Sequence, residues 1–152
     1  MPTTFALAEV IRESLTNGGK VLICGNGGSL SQANHFAGEL LADGLNCVAL
    51  TNAAAITAVA NDNDFELVFG IQVLALGNPG DVLICLTTSN KSKNIHYATK
   101  CGAVKQMKVY TVTGNPNDID PNTTLVVMGI GCSTQYIQEA TLKFLHDLWE
   151  EI

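Results

Sequence analysis

Residues 23–40 read ICGNGGSLSQANHFAGEL, and two kinds of chemistry are written in them. Gly27 and Gly28 let a backbone pass close to an anion and adopt positive φ. Ser29 would then stand at the start of a helix, where orphan N–H groups and the helix dipole favour negative charge. An N-cap serine after a tight turn accounts for the same pattern. Further on, His35 and Glu39 are four residues apart and so share one helix face. Gln138 and His146 lie in the last apolar-periodic stretch, separated by about 12 Å of helical rise and about 80° of rotation. His35, Glu39, Gln138 and His146 could bind zinc or share acid–base work, either with the side chains at both ends of the last helix leaning towards each other or with a neighbouring subunit supplying part of the set. A hydrogen-bonded helix face is the plainer reading of an isolated HxxxE.

Two nucleotide motifs are excluded. Gly25 and Gly27 match the start of GxGxxG, but Leu30 occupies the third position, and Thr51 and Asn52 follow where a ribose-binding carboxylate would stand. The GxxxxGK[ST] loop is absent. A phosphate cup made of backbone and hydroxyls fits better. The loop TTSNKS supplies Thr87, Thr88, Ser89 and Ser92 just before a helix, with Lys91 as a point charge or a solvated residue. With Arg12 as the one arginine in the chain, no arginine cluster can do this job.

These residues need a frame. Apolar periodicity predicts helices over 4–17, 30–43, 53–60, 65–76, 93–104 and 134–151. Apolar runs predict strands at 20–24, 46–51, 82–87, 107–113 and 123–128, with GNPNDIDP as a loop. The alternation implies an α/β sandwich of three layers, helices covering both faces of a doubly wound, five-stranded parallel sheet. Ligands in such sheets bind beyond the carboxyl ends of the strands, where GNGGS and TTSNKS both fall.

The 152 residues fit a single domain over 1–152, with 47% apolar and 14% charged residues. A net charge of −6 without a basic patch speaks against nucleic acid. No apolar run is long enough for a membrane span, and the N-terminus lacks a signal-peptide pattern. Five cysteines without CxxC, three of them in strand-like runs, read as free thiols in a reducing cytoplasm. His96 reads as a surface helix histidine, and Phe144, Leu145 and Trp149 as core or subunit contacts.

Shifting a carbonyl between C1 and C2 of a sugar requires a base beside the carbonyl and a proton shuttle between the two oxygens. A Glu and a His suit those tasks near neutral pH.

CGNGGSxxxANHFAGEL, TTSNKS and STQYIQEATLKFLH together resemble the phosphoheptose isomerases of the sugar-isomerase (SIS) superfamily, from about residue 5 to the end. The resemblance implies a cytoplasmic homotetramer that converts sedoheptulose 7-phosphate into D-glycero-D-manno-heptose 7-phosphate. It implies Glu39 and His146 as the acid/base pair and His35, Glu39, Gln138 and His146 as ligands of one zinc ion. It implies sugar-phosphate contacts from Asn26, Gly27, Gly28, Ser29, Glu39, Thr87, Thr88, Ser89, Ser92 and Gln138. Asn61 and Asp62 resemble a substrate-contacting pair, and from the sequence alone also read as a capping turn. The chain departs from the family in lacking a further N-terminal helix, in a short LADGLNC segment, in TTSNKS where TSGNS is usual, and in Thr141 where histidine is common. Two other readings are a non-catalytic SIS protein that binds a sugar phosphate or a partner, as replication-initiation relatives do, and an isomerase for a different sugar phosphate. Retention of Glu39 and His146 weighs against the first.

Overall fold

A computed structural model describes residues 3–118 and 120–152. Ile119, within the expected loop GNPNDIDP, lies outside the described residues. The first half of the chain forms α1 (Thr4–Thr16), β1 (Val21–Gly25), α2 (Gly28–Ala42), β2 (Cys47–Ala49), α3 (Ala53–Asp62) and α4 (Val68–Leu76). The second half forms β3 (Val82–Thr87), α5 (Lys93–Val104), β4 (Lys108–Thr113), β5 (Thr124–Val127) and α6 (Thr134–Glu151). All five strands run parallel in the order β2-β1-β3-β4-β5.

Strand alternation divides the core. Val21, Ile23, Val82, Ile84 and Leu86 face α1, α2 and α6, where Leu7, Ile11, Phe36, Leu40, Leu145 and Leu148 are fully buried. Leu22, Cys24, Leu83 and Cys85 face the other way, against Phe69 and Val73 of α4 and Ile95 and Ala98 of α5. Both strand faces are therefore dry, which is why β1 and β3 read as unbroken apolar runs rather than as alternating ones. Burying one such side chain contributes about 2 kcal/mol. At the amino ends of β1 and β3, buried Asp81 takes the Lys20 ammonium at 2.6 Å, the Lys20 amide at 3.0 Å and the Asn78 amide at 2.9 Å.

The order reverses between β1 and β3. β1 continues into α2 on one face, and β3 into α5 on the other. A crevice opens at their carboxyl ends, the place where doubly wound sheets hold ligands.

Boundaries differ from expectation in informative ways. β2 keeps three residues, because Thr51 folds back with its amide on the Ala49 carbonyl. α3 runs on to Asp62 before Asn63 ends it. The stretch 65–76 opens with a 3-10 turn at Phe65–Leu67. Cys24, Cys47, Cys85 and Cys101 are buried free thiols, and burial pushes the Cys47 thiol up to about 12. Cys132 is exposed. No described helix is long and apolar enough to cross a membrane.

Candidate active site

α2 begins two residues earlier than its apolar pattern suggests. Gly27, not Ser29, is the N-cap, at φ 56. An L side chain is strained there, so glycine lets the chain turn straight from strand into helix. Ser29 is thereby drawn into the first turn and buried at 5% exposure. Gly28 is needed for a different reason. A Cβ at this position would stand 2.7 Å from the Gln138 side-chain nitrogen, so the Gln138 amide lies directly on the glycine.

Three helix starts converge here. The backbone of Asn26–Ser29 opens α2, Ser92 caps α5, and Thr134 opens α6. Together with Leu86, Thr87, Thr88, Ser89 and Gln138 they line a cavity of about 250 Å³. Each helix start presents unpaired N–H groups and the positive end of a dipole. Ser92 makes no side-chain cap bond, so its hydroxyl is free to face a ligand. Such an arrangement can hold a phosphate without an arginine. A larger, more open cavity of about 520 Å³ shares Thr88, Ser89 and Thr134 with it, and Lys91 belongs to that outer space rather than to the cup.

One residue locks the cup from below that periodicity gave no reason to single out. Asn94, 3% exposed on the first turn of α5, trades amide hydrogen bonds with Asn26 at 2.9 Å in each direction. This ties the two loops together across the switch point.

α2 and α6 run side by side in the same direction, so their polar residues meet in sequence. Gln138 meets Gly28, Gln32 donates to the Gln138 carbonyl at 2.6 Å, and His146 meets His35 and Glu39. The His35 and His146 Nε2 atoms are 3.0 Å apart, with rings edge to face at 5.2 Å. Glu39 Oε1 is 3.3 Å from His35 Nε2 and 3.7 Å from His146 Nε2. Glu39 Oε2 is buried without a partner. Ligand atoms of all three lie within 4.8 Å of one another, a grouping that could hold a metal ion.

The SIS domain family model matches residues 5–114. The chain is 38% identical to the phosphoheptose isomerase of Thiobacillus denitrificans over 157 residues, covering 95% of this chain and 79% of that protein. The chain belongs to the phosphoheptose isomerase family. It is also 45% identical to the phosphoheptose isomerase of Aromatoleum aromaticum over 114 residues, an alignment that spans 70% of this chain and 58% of that relative. The structure of the phosphoheptose isomerase GmhA from Neisseria gonorrhoeae superposes with a TM-score of 0.91 at 37% identity, covering 97% of this chain and 83% of that one.

With the phosphoheptose isomerase frame in hand, each expected site residue has a position. Asn26, Gly27, Gly28, Ser29, Thr87, Thr88, Ser89, Ser92 and Gln138 all line one cup. His35, Glu39 and His146 form one cluster. Gln138, expected also as a metal ligand, lines the cup. Its amide is engaged at Gly28, about 12 Å of helical rise before His146. Asn61 and Asp62 sit on the last turn of α3, exposed, with the Asn61 amide donating to Asp62 at 3.0 Å. Neither lines the cup, and neither caps the helix, a role taken by Asn63. Asn90 occupies the place where the family loop usually has glycine, and it adopts φ 55. Asparagine is among the few residues that tolerate this region, so the loop keeps a turn that glycine would also make. His96 is not a free surface residue: it is half-buried and bonded at both ring nitrogens.

Proposed function

We propose that this chain interconverts sedoheptulose 7-phosphate and D-glycero-D-manno-heptose 7-phosphate. The observation that carries the reading is the seam between α2 and α6, with a hydroxyl-lined anion cup at one end and a Glu–His–His cluster at the other. Gln138 and His146 mark the two ends, about 12 Å apart along the helix. An extended seven-carbon chain with its phosphate spans roughly 10 Å from ordinary bond lengths. The cup therefore binds the phosphate, and the open sugar chain lies along the seam with C1 and C2 at the cluster.

Glu39 takes the proton from C1 of the ketose, next to the C2 carbonyl. His146 gives a proton to O2 and removes the one on O1. Glu39 then returns its proton to C2, which completes the aldose. The Glu39 carboxylate and the His146 imidazole are close enough to act on adjacent atoms of one substrate. General acid–base catalysis of this kind supplies about 10²–10⁴-fold in rate.

The residues fit zinc. Two imidazole nitrogens and a carboxylate are a catalytic zinc donor set, and the unpartnered Glu39 Oε2 is a buried acceptor in want of a partner. His35, Glu39 and His146 would hold the ion, which would polarise the carbonyl and ease the build-up of negative charge on oxygen. His35 also orients Glu39 by itself, through the 3.3 Å contact. We further read residues 1–152 as one SIS unit that acts in the cytoplasm as a homotetramer, with a small sugar phosphate as its ligand.

The test is an aldose–ketose interconversion assay over five-, six- and seven-carbon sugar phosphates, with and without added zinc. Turnover is expected with the seven-carbon ketose phosphate. Absence of turnover on every sugar phosphate, in protein that binds them, would overturn the reading.

A further inference from the structure

The cup's second loop is held from behind. Asn90, 1% exposed and at φ 55, sits at its bend. Its amide nitrogen donates to Thr87 Oγ1 at 3.2 Å. Its side chain donates to the Asp118 carbonyl at 2.7 Å and more distantly to the Asn115 carbonyl at 3.4 Å. The Asn90 carbonyl meets His96 Nε2 at 2.8 Å. A carbonyl only accepts, so His96 carries its proton on Nε2. The other ring nitrogen faces Asp120 Oδ2 at 3.4 Å. Asp120 is 8% exposed and is itself fixed by the Thr99 hydroxyl and by the Asn122 amide at 2.9 Å and carboxamide at 2.8 Å. Asn90, His96 and Asp120 neither line the cup nor belong to the Glu39 cluster.

We infer that His96 is a positioning residue for the cup: it pins Asn90 in its left-handed turn and so aims Thr88, Ser89 and Ser92 at the bound anion. A left-handed asparagine costs free energy that a flexible loop would release by relaxing. The His96 bond and the side-chain bonds of Asn90 oppose that relaxation. This inference rests on the reading of the cup as a phosphate site.

The experiment compares the full-length wild type with His96→Ala, His96→Gln and Asn90→Gly. Hydrogen exchange reads the loop directly, whether or not the protein turns over. In His96→Ala the Asn90 and Lys91 amides are expected to exchange about tenfold faster, with β1 and β3 unchanged. Inorganic phosphate, titrated by calorimetry, is expected to bind about tenfold more weakly, and KM to rise by a similar factor while kcat stays within about twofold. His96→Gln is expected to recover most of the loss, since its carboxamide N–H can reach the same carbonyl. Asn90→Gly keeps the turn but removes its side-chain anchor. It is expected to loosen the same amides and supplies the measurement should His96→Ala not fold. Unchanged loop exchange, or loosening spread equally through β3, overturns the inference. Faster loop exchange in protein whose wild type binds no phosphate overturns the phosphate reading instead.

Discussion

His35 and His146 point their Nε2 atoms at each other across 3.0 Å, and Glu39 Oε1 lies within 3.7 Å of both. The two histidines are 111 residues apart in sequence. Only the parallel packing of α2 on α6 brings them together.

In the proposed mechanism Glu39 is the base. Glu39→Gln keeps the side chain's shape and removes its basicity, so turnover is expected to fall at least about 10²-fold. Circular dichroism and thermal melting should be little changed. Rates near wild type would remove Glu39 from the mechanism.

Zinc is expected to bind the folded chain at the same three residues. A ligand at 100 times its Kd stabilises the native state by about 2.7 kcal/mol. Added zinc should therefore raise Tm in protein stripped with a chelator. The rise should vanish in a His35→Ala, His146→Ala double variant. A shift that persists in the double variant places the metal elsewhere.

The cup is assigned to binding rather than to chemistry. Ser89→Ala and Ser92→Ala are each expected to raise KM about three- to tenfold, the value of one hydrogen bond, with kcat nearly constant. Steady-state kinetics at saturating and limiting substrate separate the two effects.

Asp81 lies at the other end of the sheet, 2% exposed, and accepts from the Lys20 ammonium and two amides. Asp81→Ala strands the Lys20 charge, which is 15% exposed, and leaves two amides unpaired. Breaking such a pair from one side costs about 3 kcal/mol. Urea denaturation should show this loss, with kcat and KM unaffected in the folded fraction.

Asp120 predicts a pH dependence. Burial acts to raise its pKa, but hydrogen bonds from Thr99 and from Asn122 outweigh that and hold it below its ordinary 3.8. A carboxyl depressed in the folded state contributes stability above its unfolded pKa and loses it as pH falls through the folded value. The gap in urea midpoint between wild type and Asp120→Ala should be full near neutral pH and narrow progressively below about pH 4.

Much of the frame is legible in the residues. β1 and β3 announce themselves as apolar runs because both sheet faces are covered, and a glycine turn ending in Ser29 after one and a loop of hydroxyls after the other point to the crevice between them. The start of α2 is less legible, because hydropathy cannot see that Gly27 turns the chain before Leu30. His96 misleads for a related reason. Its partners, Asn90 and Asp120, are six and 24 residues away, and no helical period joins them. Asn94 likewise shows only as one more polar residue after TTSNKS until Asn26 arrives from another strand. Gln138 and His146 share a helix, but whether both reach one point depends on what α2 sets opposite each of them.

The dependence on α6 has a consequence for biosynthesis. Sheet, cup loops and the His35–Glu39 pair are all made before Ser133 is reached, yet His146 and the Gln138 wall come only with that final helix. Until α6 emerges and docks, a nascent chain lacks both the cover for one face of its sheet and the third member of the Glu39 cluster. A premature stop upstream of α6 would leave a partly folded product with no working site.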